Sequence, residues 1–215
     1  LWSNILKKIP SSKIIIKNRQ LDDAETKKRI YNIFLKQGIN NKQLLLSGST
    51  NSRRDLLMEY NNIGILDPTG KNNNPLTGRN YTYRYIELAN IWSKYPAYGH
   101  AKHIIRGILD NQVVLITSGT GSGKTVLIPK FLLHCLQYKY KLMITFPKRI
   151  IAKSSAEWSA ITLDVDIGEE IGYAYKNEKK MSKKTKILYV TDGYVIAQIK
   201  NDPLLTYYNG IIIDE

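Results

Sequence analysis

A glycine-rich octapeptide near the middle of the chain has the residue types and spacing of a phosphate-binding loop. Its residues are Ser118, Gly119, Thr120, Gly121, Ser122, Gly123, Lys124 and Thr125. Glycines let successive backbone N–H groups turn towards phosphate oxygens, and a following helix adds the partial positive charge of its N-terminus. In such a loop Lys124 contacts the β- and γ-phosphates and the Thr125 hydroxyl ligates Mg²⁺. The loop predicts binding of ATP or another NTP with Mg²⁺, although Ser118 stands where the pattern normally has glycine.

Two carboxylates follow an apolar run at the end of the sequence. The run at 211–213 resembles a buried strand, and Asp214 and Glu215 come directly after it. In a parallel sheet these carboxylates would lie at the carboxyl edge, where nucleotides bind. Asp214 would then hold Mg²⁺, and Glu215 would orient or deprotonate the attacking water. Such a run alone is more often a strand that enters a solvated loop, but the upstream phosphate-binding loop favours the catalytic role.

Alternating apolar segments after residue 96 predict the elements that position these groups. Strands are predicted at 113–117, 142–146, 187–191 and 211–213, and helices at 124–136, 150–161 and 194–199. Short strands that alternate with helices predict an α/β fold with a mainly parallel sheet. Both faces of such a sheet are covered, which explains why the strands are continuously apolar.

The first 94 residues carry no repeat and no catalytic motif, and are predicted to form a small, mainly helical extension. Helical spacing predicts helices at 24–35 and 81–95, the segment 44–48 fits a strand, and 67–80 is predicted to be a surface loop. The tyrosine-rich segment 81–98 could stack on single-stranded nucleic acid. The helical spacing of Leu88 and Trp92 instead favours packing against the following domain.

Composition limits the class of protein. Of the 215 residues, 43% are hydrophobic and 23% are charged, as in globular proteins. A formal net charge of +14 favours a polyanionic partner, although solvated lysine-rich faces explain it equally well. The single cysteine, Cys135, cannot form an internal disulfide and fits an intracellular location in the cytoplasm or nucleus. No apolar run approaches the roughly 20 residues that span a membrane.

Several blocks of sequence follow one another in a distinctive order. They are YPAY at 95–98, DNQVVLITSGTGSGKTVLIPKFLL from residue 110, TFPKR at 145–149, GEEIGYAY at 168–175, KKTKILYVTDG at 183–193, NDPLL at 201–205 and IIIDE at 211–215. Together they resemble the first RecA-like domain of DEAH-box-type superfamily-2 helicases. The resemblance implies a P-loop NTPase domain at 95–215, with a RecA-like parallel sheet flanked by helices, after the extension at 1–94.

The resemblance also implies contacts with the nucleic-acid backbone. The residues that match the family's contact motifs are Pro147, Lys148 and Arg149, then Thr191, Asp192 and Gly193, and finally Lys176. Backbone contacts read no bases, so binding should tolerate most sequences. Lys176 matches an arginine that lies in a turn of the family known as the hook turn. Asn177, the next residue, stands where the family usually has an aromatic residue.

Trp158 departs from the family pattern. It stands where the family commonly has an arginine that stacks on the nucleotide base. An indole offers the same flat face, worth about 1–3 kcal/mol by analogy with base–aromatic stacking. Packing of Trp158 in the core or on the next domain fits equally well. Stacking would predict poor discrimination between nucleotide bases.

The resemblance implies an NTP-dependent helicase or translocase that moves along single-stranded RNA or DNA, with RNA favoured. The resemblance also implies a second RecA-like domain beyond Glu215. The sequence, which begins at Leu1 and stops within a motif, is expected to be a fragment of a longer protein. The given residues alone should hydrolyse NTP very slowly. The Lys-, Asn- and Ile-rich composition resembles helicases of large DNA viruses, which adds a viral factory or virion as possible locations. Two alternatives remain: a nucleotide-regulated binding module without motor activity, and another P-loop motor ATPase.

Overall fold

The computed structural model describes Met58 and residues 60–214. Two short 3₁₀ helices, Tyr60–Asn62 and Gly64–Leu66, come first. The elements that follow are α1 (Tyr83–Trp92), α2 (Pro96–Gly99), α3 (Ala101–Asp110), α4 (Lys124–Cys135), β1 (Leu142–Phe146), α5 (Arg149–Leu163), β2 (Ile171–Tyr175), β3 (Glu178–Lys180), β4 (Ile187–Thr191), α6 (Asp192–Asn201) and β5 (Gly210–Ile213). The predicted helix at 24–35, the predicted strand at 44–48 and Glu215 lie outside the described residues.

The five strands form one sheet in the order β3-β2-β4-β1-β5. β1 is parallel to both β4 and β5, and β4 is parallel to β2, whereas β3 is antiparallel to β2. All five residues of β1 and the first four of β4 are buried. A strand buried on both faces must be apolar at every position, because neither face meets water. The prediction of an α/β fold with a mainly parallel sheet is confirmed.

The strand predicted at 113–117 is wrong. No strand pairing among the described residues involves this segment, and Val113 is 53% exposed. β5 is an edge strand of the described sheet, and its Ile211 and Ile213 are exposed. An apolar run becomes a strand only where another strand accepts its backbone hydrogen bonds, and no described segment pairs with the outer edge of β5.

Residues 60–92 pack into the same core as the helices and strands that follow. Tyr85 and Trp92 are 0% and 2% exposed and belong to one apolar cluster with Leu127 and Phe131 of α4. The Tyr85 hydroxyl donates to the carbonyls of Ile65 and Asp67, at 3.2 and 2.9 Å. Packing, rather than stacking on nucleic acid, is therefore the role of the buried aromatic residues Tyr81, Tyr85, Trp92 and Tyr98. The domain boundary at 94–95 stays a prediction.

The segment 67–80 is a loop, as predicted, but part of it is buried. Asp67 and Asn74 are 2% and 1% exposed, so the expectation of a surface loop is wrong for these two residues. The Asn74 amide donates to the carbonyl of Leu163 at 2.8 Å, at the C-terminus of α5. The next residue, Asp164, accepts hydrogen bonds of 2.7 Å from both the N–H and the hydroxyl of Thr82, which caps α1. These contacts fasten the preceding segment to α5.

None of the helices in the described part of the chain is long and apolar enough to cross a membrane.

Candidate nucleotide and nucleic-acid site

The glycine-rich loop leads directly into α4, which begins at Lys124. Gly123 caps the helix with a φ of 88°, and Gly121 has a φ of 78°. A Cβ atom on Gly123 would lie 2.6 Å from Cδ2 of Tyr95, so this position excludes larger residues by space as well as by backbone conformation. Ser118 and Ser122 share a hydrogen bond of 2.6 Å between their hydroxyl oxygens. Ser118, which replaces the first glycine of the pattern, thus hydrogen-bonds across the loop and does not disrupt it.

The loop borders a cavity of about 320 Å³. Residues 118–122 form one side, and Pro96 and His100 line it as well. The N–H of Ala97, in α2, donates to the carbonyl of Ser122 at 3.0 Å and holds this wall against the loop. Sequence reasoning missed Pro96 and His100, because the block at 95–98 carried only a family resemblance and no chemistry of its own.

Lys124 folds back over the loop from the first turn of α4. Its Nζ donates to the carbonyl of Ser118 at 2.7 Å and to that of Gly119 at 3.1 Å. Both acceptors belong to the loop itself, so the positive charge lies where the motif predicts the phosphates.

The two residues predicted to hold Mg²⁺ are brought together by the fold. The Thr125 hydroxyl donates to Oδ2 of Asp214 at 3.0 Å, although 89 residues separate them in sequence. The backbone N–H of Asp214 donates to the carbonyl of Thr145 at 3.1 Å, which fixes the end of β5 beside β1. Hydroxyl and carboxylate oxygens are the hard ligands that Mg²⁺ prefers, so these residues fit the ion. Glu215 lies outside the described residues.

Trp158 faces a second cavity, of about 270 Å³, next to the start of α4. The cavity is lined by Thr125, Val126, Ser154, Ser155, Trp158 and Ser159. The Trp158 side chain is 45% exposed, so it is not a core residue in the described part of the chain. The same cavity thus contains a flat aromatic face and the Thr125 side chain. Stacking on a nucleotide base stays a prediction, and the three serines are polar groups that sequence reasoning did not single out.

The residues of the two predicted backbone-contact motifs lie side by side at the carboxyl edge of the sheet. Pro147, Lys148 and Arg149 follow β1 and are exposed, and Lys148 is the N-cap of α5. Thr191 ends β4 and is the N-cap of α6, followed by the exposed residues Asp192 and Gly193. β1 and β4 are direct neighbours, with Phe146 opposite Thr191. The Thr145 hydroxyl donates to the Asp192 carboxylate and links the two motifs.

Comparison with known proteins decides the family. The DEAD/DEAH box helicase family matches residues 99–215, which is more than half of the chain. The chain belongs to the DEAD/DEAH box helicase family. A protein of Acanthamoeba polyphaga mimivirus, provisionally named as an ATP-dependent RNA helicase, is 48% identical over 155 residues, which cover 71% of this chain and 22% of that protein. The ATP-dependent RNA helicase HrpA of Borreliella burgdorferi is 39% identical over 123 residues, which cover 57% of this chain and 15% of HrpA.

The remaining predicted contact of this DEAD/DEAH box domain, Lys176, lies exposed in the turn between β2 and β3. Glu178 secures this turn. Its carboxylate accepts hydrogen bonds from the hydroxyls of Tyr173 and Tyr175 and, at 3.0 Å, from Nζ of Lys153 in α5. These donors, that of Tyr173 above all, lower the pKa of Glu178 to about 2. The turn is thereby tied to α5, the helix that begins at the Lys148 motif.

Proposed function

We propose that the intact protein is an NTP-dependent RNA helicase or translocase that couples hydrolysis of Mg²⁺–ATP to movement along a single strand. The contact between Thr125 and Asp214, beside the glycine-rich loop, is the observation that carries the proposal. ATP and RNA are favoured because both named relatives are called ATP-dependent RNA helicases. This chain spans about a fifth of the length of the mimivirus relative and less of HrpA, so the motor activity is proposed for the intact protein.

Nucleotide binding would replace existing contacts with contacts to phosphate. The Nζ atom of Lys124 would exchange the carbonyls of Ser118 and Gly119 for β- and γ-phosphate oxygens. The loop N–H groups and the N-terminus of α4 would bind the same phosphates. Thr125 and Asp214 would hold Mg²⁺, which when bound supplies positive charge to the phosphate oxygens. Glu215 would orient or deprotonate the attacking water, and Trp158 would stack on the base.

Nucleic acid would bind along the carboxyl edge of the sheet, over β1 and β4. Lys148 and Arg149 supply charge there, and the first turns of α5 and α6 supply backbone N–H donors for phosphates. Thr191, Gly193 and Lys176 would extend the same track. A second RecA-like domain of the same chain would complete both this track and the nucleotide cleft.

The test measures the rate at which the intact protein releases phosphate from ATP. Three conditions are compared at one stated salt concentration: no nucleic acid, oligo(U), and oligo(dT) of equal length. Lys124→Ala should lower stimulated hydrolysis about 100- to 1,000-fold, because a positioned positive charge at the transferred phosphate is lost. Lys71→Ala removes an exposed lysine of the 67–80 loop and is the matched control. Undiminished hydrolysis by the Lys124→Ala variant would contradict the proposed mechanism. A wild-type protein that binds nucleotide without hydrolysing it would favour the non-motor binding module.

The proposal includes an intracellular site of action, in the cytoplasm or nucleus or in a viral factory or virion. Cys135 supports a reducing compartment, because it is the single cysteine and forms no internal disulfide. The residue is 4% exposed, and burial raises the pKa of its thiol to about 12, so the thiol is inert. Microscopy of the tagged protein in its own host checks this location, and a secreted protein would contradict it.

A further inference from the structure

Lysines gather at the amino edge of the sheet, opposite the edge that carries the nucleotide site. Lys141 directly precedes β1 and Lys186 directly precedes β4. The backbone joins these positions, since the N–H of Leu142 donates to the carbonyl of Lys186 at 2.7 Å. Each of these strands has five residues, so the amino edge lies about 16 Å from the carboxyl edge at roughly 3.3 Å per residue. A ligand at one edge therefore need not touch the other.

Two of the amines are held in place by backbone carbonyls. Lys141 Nζ donates to the carbonyl of Lys183 at 3.1 Å, and Lys186 Nζ donates to the carbonyl of Lys139 at 3.1 Å. Each contact joins the turn before β1 to the turn before β4, so the two turns and their lysines form one surface. We name the lysine patch by its members: Lys139, Lys141, Lys183, Lys184 and Lys186.

The lysine patch carries an uncompensated positive charge. Lys139, Lys183 and Lys184 are exposed, and Lys184 makes a 3.4 Å ion pair with Glu169, whose side chain is 45% exposed. Glu170 is also bonded to this region, through its backbone, since its carbonyl accepts from the N–H of Lys186 at 2.7 Å. Among the described residues bonded in this region, the five lysines outnumber these two glutamates. Lysines gathered on one surface repel one another, and a polyanion relieves that repulsion.

Exposed aromatic rings lie among these lysines. Tyr140 and Tyr207 are 39% and 56% exposed. Lys141 Nζ lies 4.4 Å from the centre of the Tyr207 ring and also donates to its hydroxyl. Lysines beside exposed rings are typical of surfaces that bind single-stranded nucleic acid, because phosphates meet the amines while unpaired bases stack on the rings. An anionic membrane or an acidic peptide would use the charge alone.

We propose that the lysine patch, with Tyr140 and Tyr207, is a second binding surface for single-stranded RNA, separate from the track at the carboxyl edge. This inference rests on the proposed function, since it assumes that RNA is the nucleic acid bound. The surface would hold a flanking part of the strand while the motor track moves along another part. It would raise affinity without touching the nucleotide.

The test compares binding of labelled oligo(U) by the intact protein at several salt concentrations. The variant Lys139→Gln, Lys183→Gln, Lys184→Gln keeps the two anchored amines and removes three exposed charges. Each lost phosphate contact on a single strand should lower the slope of log affinity against log salt by about 0.7, so the slope should fall by about 2. Near 100 mM salt this corresponds to about a 10- to 100-fold loss of affinity. The variant Arg84→Gln, Lys94→Gln, Lys102→Gln removes three exposed charges from α1, α3 and the turn between α1 and α2, and is the matched control.

An unchanged affinity in the patch variant, or an equal loss in the control, overturns the inference. Vesicles containing phosphatidylserine form a second arm, and loss of vesicle binding with intact oligo(U) binding would also overturn it, in favour of a membrane. Basal hydrolysis should be unchanged, which shows that the patch variant is folded. Failure of the proposed function has a different signature, because wild-type hydrolysis would then not respond to RNA even where oligo(U) binds through the patch.

Discussion

The substitution Gly123→Ala should destabilise the glycine-rich loop and the first turn of α4 even without nucleotide. The added Cβ would lie 2.6 Å from Cδ2 and 2.8 Å from Cβ of Tyr95, at a backbone φ of 88°. Gly121 provides the matched control, because its φ of 78° is also positive but no atom lies within 4 Å of an added Cβ. The two substitutions therefore share the backbone strain and differ in the steric clash.

The magnitude follows from these two contributions. A left-handed backbone costs a residue with a Cβ about 1–2 kcal/mol, which is the expected loss for Gly121→Ala. Crowding a packed site costs about 1–3 kcal/mol more, which gives about 2–5 kcal/mol for Gly123→Ala. The difference of about 1–3 kcal/mol corresponds to a local opening equilibrium that is about 5- to 150-fold more populated.

Hydrogen exchange of peptides that cover residues 113–135, in the intact protein without nucleotide, measures this difference. In a Tyr95→Gly background all the clashing side-chain atoms, Cβ included, are absent, so Gly123→Ala should then cost no more than Gly121→Ala. Equal exchange in the two glycine variants of the otherwise wild-type protein would refute the reasoning. So would a Gly123 effect that persists unchanged in the Tyr95→Gly background.

Two further predictions concern single side chains. Trp158→Ala should raise the Kd of ATP and of GTP by a similar factor, about 5- to 150-fold for a stacking contribution of about 1–3 kcal/mol, whereas Trp158→Phe should have a small effect. Titration by fluorescent nucleotide displacement measures both, and a loss confined to ATP would contradict stacking without selectivity. The pKa of Glu178 lies at about 2, below its ordinary value of 4.5, so the folded state favours the ionised form. Its stabilisation is present above about pH 4.5 and lost as pH falls towards 2. The protection factors of the β2–β3 hairpin, which are hydrogen-exchange rates corrected for the intrinsic rate at each pH, should fall over this range in the wild type but not in Glu178→Gln. A parallel response would count against the carboxylate.

The sequence predicted best those elements whose apolar residues are continuous and bounded by polar residues. The strands at 142–146 and 187–191 were predicted to the residue, because each is a buried run with lysine before it. The helix predicted at 124–136 ends one residue earlier, at Cys135. The segment 113–117 has the same apolar character and was wrong, since composition does not tell whether a neighbouring strand is available.

Some residues of the candidate site were likewise predicted from the sequence, and others were not. Topology alone placed Asp214 at the carboxyl edge, and the fold does bring it to Thr125. Pro96 and His100 reach the loop only because α2 docks there through the hydrogen bond from Ala97 to Ser122. The β2–β3 hairpin was likewise missed, because the polar residues of β3 pair through their backbone and carry no apolar pattern. Contacts of this kind depend on long-range packing, which local periodicity does not encode.

The core that residues 60–92 share with α4 bears on where the polypeptide can be cut. A recombinant chain that starts at Tyr95 would lack Tyr85 and Trp92. The face of α4 that these residues cover would then be exposed to solvent. Lys130 lies there, 1% exposed, with its Nζ 4.4 Å from the centre of the Trp92 ring and 2.6 Å from the carbonyl of Thr162. Such a truncated protein would expose a large apolar surface and aggregate, whereas a cut before Met58 keeps every described residue that packs in this core.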